Sequence, residues 1–149
     1  MKRTPTSHAI DISATVRRLS VSRGRVRQAA AAALKAERVK EAMISITFVG
    51  RATITRLNQR YLGHRGPTDV ISFGLGRIGR RGAVLGDIYI CAEIARENAR
   101  RQKVSAGEEV LRLVVHGTLH VLGHDHPEGS GRRTSPMWRK QERILARVL

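Results

Sequence analysis

Residues 105–126 read SAGEEVLRLVVHGTLHVLGHDH, and this stretch decides the fold. Ser105 with Glu108 three residues on has the form of a capping box, in which each side chain satisfies a free N–H of the first helical turn. The apolar run Val110–Leu122 continues the helix, and Gly123 stands where a left-handed residue ends one. His116 and His120 are four apart, so they share one helix face about one turn apart. His126, three residues past Gly123, sits where the returning chain can supply a third nitrogen. Three imidazoles leave a fourth position open, which separates catalytic from structural zinc sites, and a metal there lowers the pKa of its water toward about 7. His116, His120 and His126 are therefore the candidate ligands of one Zn2+.

Other residues of the stretch have supporting parts. His124, on the turn, is a candidate general acid or base, or else a residue that faces solvent. Asp125 either orients a ligand imidazole or caps the turn. Zinc peptidases place a glutamate base directly after the first histidine of such a helix. Here that residue is Gly117, which weakens a peptidase reading and predicts a close approach of backbone to a neighbour.

Outward from this helix, strands and helices mix without a regular alternation. Ala9–Ser13 reads as a short strand, Ser22 to about Val39 as an alanine-rich helix, and Met43–Val49 as an alternating strand ended by Gly50. Thr53–Leu62 reads as a helix stopped by Gly63, Thr68–Phe73 as β-rich, and Gly74–Gly82 as a flexible basic loop. Val84–Ile90 is a strand, Ala92–Gln102 a helix, and Ser135–Leu149 a helix with Pro136 near its start. The expected architecture is α+β: one domain over residues 1–149, a small mixed sheet packed with about five helices.

Charge narrows the partner. Lys and Arg number 28 against 12 Asp and Glu, a formal net charge of +16 over 149 residues. The pI of about 11.7 exceeds the value near 9 that marks a nucleic-acid-binding domain. Basic residues are spread along the chain, not gathered on one amphipathic helix, so a polyanion fits better than a membrane surface. Five aromatic residues are too few for a base-stacking sheet. The single cysteine, Cys91, excludes an intrachain disulfide and suits a reducing compartment. Met1–Ser13 lacks the apolar segment of a secretory signal, and no apolar run approaches the roughly 20 residues of a membrane span, so a cytoplasmic location is expected.

The block His116-Gly117-x-Leu119-His120-x-x-Gly123-x-Asp125-His126 resembles the signature of the YbeY family. Leu57-Asn58-x-x-Tyr61 followed by Pro67-Thr68-Asp69-Val70-Ile71-Ser72-Phe73 is similar to a second block of that family. Leu85-Gly86-Asp87-Ile88 is similar to a third, and Met137, Gln141-Glu142 and Ile144 to its C-terminal helix. The resemblance spans roughly Ile44–Leu149. It implies a single-domain α+β, metal-dependent endoribonuclease acting on single-stranded RNA. It further implies maturation of ribosomal RNA, notably the small-subunit end, ribosome quality control, and the ribosome and small-subunit assembly proteins as partners. By matching position it makes His116, His120 and His126 the zinc ligands.

One departure stands out. Many members carry an arginine implicated in activity after the residue matching Tyr61; here it is Leu62. Arg65, in the loop entering the strand at Thr68, is expected to replace it as a catalytic cation. Arg60, Arg77, Arg80 and Arg81 are expected to contact RNA. Asp69 joins His124 and Asp125 as a candidate for proton transfer. Two rival readings are a zinc-stabilised RNA-binding assembly factor without catalysis and, set back by Gly117, a metallopeptidase.

Overall fold

The structure, a computed structural model, describes residues 6–80 and 82–149. Arg81 and the first five residues therefore lie outside the described residues. Four strands form one mixed sheet: β1 (Ser7–Ala14), β2 (Glu41–Val49), β3 (Val70–Ile78) and β4 (Ala83–Cys91), in the order β1-β2-β4-β3. β1 and β4 both run parallel to β2, and β3 pairs antiparallel with β4. Five α-helices are described: α1 (Arg23–Ala36), α2 (Arg51–Leu57), α3 (Ala92–Gln102), α4 (Ala106–Val121) and α5 (Pro136–Ala146). A π-helical turn (Asn58–Leu62) follows α2, and a 3-10 turn (Gly129–Thr134) precedes α5. The mixed single-domain α+β architecture is the one expected.

Alternation in the strands explains the two faces. In β2, Ala42, Ile44, Ile46 and Phe48 are buried in one core with residues of α1, α4 and α5, as are Ile88 and Ile90 of β4. Helix α1 meets this face with Val26, Ala29, Ala30, Ala33 and Leu34, the spacing of one helical stripe. On the opposite face Val49, Ile71 and Cys91 join Ile54 of α2 and Ile94 of α3 in a second, smaller core.

The segment read as a flexible loop over Gly74–Gly82 is largely β-structure. β3 continues to Ile78, with a register shift between Gly74 and Arg77, and closes onto β4 through a turn at Gly79–Gly82. Gly76, Gly79 and Gly82 all have positive φ. Here the glycines serve a bulge and a turn, and pairing with β4 orders the rest.

Glycines also let α4 lie close on the sheet. A Cβ at Gly117 would fall 2.9 Å from both Ile88 Cγ2 and Ser72 Oγ, and one at Gly86 would collide with Val121. Gly117 thus faces the sheet, which is the close approach the sequence suggested. Ser105 caps α4 by accepting from the Glu108 N–H at 3.0 Å. Only half of the expected box forms, because the Glu108 carboxylate is drawn to Arg112 at 2.9 Å instead.

Candidate metal centre

Helix α4 is buried throughout its second half, from Leu113 to Leu119, and carries His116 into the interior at 4% exposure. His120 follows one turn later. Gly123, with φ of 97°, ends the helix, and the His124 N–H returns to the Leu119 carbonyl at 3.0 Å. That reversal swings His126 back over the helix end. One nitrogen from each of His116, His120 and His126 lies within 4.8 Å of the others, and their ring centroids are 4.6–5.1 Å apart.

The ring orientations suit a cation. His116 Nε2 and His120 Nε2 are 3.1 Å apart, against about 3.3 Å for two nitrogens on one tetrahedral zinc with bonds of about 2.05 Å. His116 Nδ1 lies 2.6 Å from Gln141 Oε1, and His126 Nδ1 lies 3.0 Å from the Pro127 carbonyl. Both oxygens accept, so both Nδ1 atoms donate and both Nε2 lone pairs are free. Burial pushes the His116 pKa down to about 3, and the Gln141 bond only partly offsets it. Burial and the neighbouring His126 also lower His120. Both shifts favour the neutral ring, the form that binds a metal. An all-nitrogen set with one face open to a cavity fits a borderline metal such as zinc.

That cavity, about 360 Å³, is bounded by the three histidines, Asp69, Asp125, Glu128 and Arg132, with Leu62 on its wall. A second cavity of about 230 Å³ adjoins it, sharing Asp69, His116 and Arg132, and reaching Arg133 and Trp138. The guanidiniums of Arg132 and Arg133 lie 5.9 and 5.4 Å from the Trp138 ring, and Arg132 Nε is buried without a hydrogen-bond partner among the described residues.

A family model described as Endoribonuclease YbeY matches residues 11–149. The chain belongs to this family. A YbeY endoribonuclease of Syntrophus aciditrophicus is 33% identical over 143 residues, covering 93% of this chain and 89% of the relative. One from Pelotomaculum thermopropionicum is 38% identical over 131 residues, 84% and 85% of the two chains, and one from Treponema pallidum 40% over 128 residues, 83% and 79%. The fold is also similar to a solution structure from Thermotoga maritima, with a TM-score of 0.60 and 26% identity over 93% of this chain and 88% of that one.

The other candidates of this YbeY chain are placed as follows. His124 is turned away from the triad and pairs with Glu37, which also binds Lys140 Nζ at 2.8 Å. Asp125 borders the cavity, and its Oδ1 accepts the His126 backbone N–H at 2.8 Å, so it caps the turn. Asp69 accepts from Asn98 Nδ2 at 3.0 Å. Arg65 and Arg60 line a different cavity, beside α2, and not that of the histidines. Arg77 donates to the Gly82 carbonyl within its own hairpin, and Arg80 is exposed at the turn. Beside the triad, Arg132 escaped the sequence reading, and Gln141 entered it only through the C-terminal block of the resemblance, with no role toward the histidines. Gln141 interrupts the apolar spacing of Met137, Ile144 and Leu145, a signal that a buried polar group has a task.

Proposed function

We propose that this chain is a zinc-dependent endoribonuclease that cleaves single-stranded RNA during ribosomal-RNA maturation in the cytoplasm, beside the ribosome and small-subunit assembly proteins. The convergence of three imidazole nitrogens at a cavity shared with Arg132 carries this reading. Family membership and the +16 charge support it, and among the described residues no helix is long and apolar enough to cross a membrane.

His116, His120 and His126 would hold the metal. When bound, zinc supplies Lewis acidity toward water and a phosphoryl oxygen. Arg132, on the same cavity, neutralises charge growing on the nonbridging oxygens. Asp125, which shares the cavity with Asp69 and Glu128, would take up a proton through the carboxylate oxygen that does not cap the turn. Arg77 and Arg80, both exposed, extend the positive field along β3 and its turn.

His120→Ala is the test, with zinc content and cleavage of single- and double-stranded RNA measured together. Loss of zinc and of single-strand cleavage with RNA affinity retained is expected. A folded variant that cleaves as well as wild type overturns the reading; retained cellular function without any cleavage favours the non-catalytic assembly factor.

A further inference from the structure

Behind His116 runs a chain of hydrogen bonds that follows the same face of α4 back toward its first turn. Arg112, at 11% side-chain exposure, donates Nε and Nη2 to the Glu142 carboxylate at 3.1 Å each, Nη1 to Glu109 at 2.9 Å and Nη2 to Glu108 at 2.9 Å. Burial alone would lower its pKa, but its bonds to Glu142, Glu108 and Glu109 hold it above the ordinary value. Glu142 Oε2 then accepts from Gln141 Nε2 at 3.1 Å, and Gln141 Oε1 accepts from His116 Nδ1 at 2.6 Å.

Donor and acceptor identity fixes the direction of every link. A guanidinium only donates, and a carboxylate only accepts. Glu142 therefore draws the NH2 of Gln141 toward itself and leaves the amide oxygen facing His116. That oxygen forces the imidazole proton onto Nδ1 and frees Nε2. A fully buried amide has nearly the same shape either way round, so shape alone does not choose. His126 has no such ambiguity, because the Pro127 carbonyl can only accept.

We propose that Glu142 is a positioning residue that sets the tautomer of His116 through the Gln141 amide, keeping Nε2 open to a metal. The proposal rests on His116 being a metal ligand. In Glu142→Gln the new amide keeps its oxygen at the Oε1 position, which accepts from both Nε and Nη2 of Arg112, so its NH2 takes the Oε2 position facing Gln141. Gln141 then reverses, presents its own NH2 to His116 Nδ1, and drives the ring proton onto Nε2. Swapping both residues, Gln141→Glu with Glu142→Gln, puts an acceptor back against Nδ1.

Long-range proton–nitrogen spectra of the full chain after chelation read the tautomer directly, and competition with a chromophoric chelator reads zinc affinity. Wild type and the double swap are expected to show Nδ1–H. Glu142→Gln is expected to show Nε2–H and a fall in zinc affinity of about 10–100-fold, the usual cost of a lost outer partner. Unchanged Nδ1–H in Glu142→Gln overturns the proposal, as does Nε2–H in the double swap. If no variant, wild type included, binds zinc, the metal reading fails instead, while the tautomer comparison still tests the relay.

Discussion

Gly117 of α4 and Ile88 of β4 are apposed so closely that a Cβ on the glycine would lie 2.9 Å from Ile88 Cγ2. The absence of a peptidase-type glutamate at this position is therefore a packing requirement, and no carboxylate at 117 could face substrate. Gly117→Ala gains up to about 1 kcal/mol of helix propensity but overpacks the core by about 1–3 kcal/mol. Net destabilisation in urea is expected, with Gly117→Glu failing to fold.

Arg132, not Arg65, borders the histidine cavity. In single-turnover cleavage Arg132→Ala should lose about 10²–10³ in rate with zinc retained, by analogy with removal of one transition-state donor. Arg65→Ala should stay near wild type. The reverse ranking would return the catalytic cation to the loop before Thr68.

Removal of zinc should destabilise the chain, since a ligand that binds only the native state adds stability with its concentration. Thermal melting with excess chelator should lie below melting with one equivalent of zinc, and His126→Ala should abolish the difference.

Glu37 joins the end of α1 to Lys140 of α5 and to His124. Burial alone would raise its pKa, but hydrogen bonds from Lys140 and His124 outweigh this and lower it below 4.5. A lowered carboxylate contributes stability above its unfolded pKa and loses it as pH falls through the folded value. Glu37→Gln should thus cost about 1–2 kcal/mol at pH 7, and the gap to wild type should close as pH drops below 4.5.

RNA affinity should fall steeply between low and high salt, through release of counterions by a chain of net charge +16. Binding isotherms at two salt concentrations check this, and a flat response would remove the basic surface from the interface.

Local spacing was legible in the sequence. The i,i+4 histidines, the stop at Gly123 and the alanine stripe of α1 each follow from helical period alone. Contacts between distant segments were not. Gln141 meets His116 across 25 residues of chain, and Arg132 reaches the cavity through a 3-10 turn with no periodic pattern. Glu108 fitted a local capping motif, yet Arg112 claimed its carboxylate. The glycines of 74–82 carried a turn signal that hid a paired strand, because pairing is set by β4.

The burial of α4 from Leu113 to Leu119 divides the candidate centre mechanically. His116 sits on a fixed jaw, whose amides exchange with solvent only when the whole core opens. His126 sits on a second jaw beyond Gly123, fixed by its own turn through Asp125 and the Pro127 carbonyl and not by the sheet. A metal held by all three histidines would therefore tie the turn beyond Gly123 to the buried core.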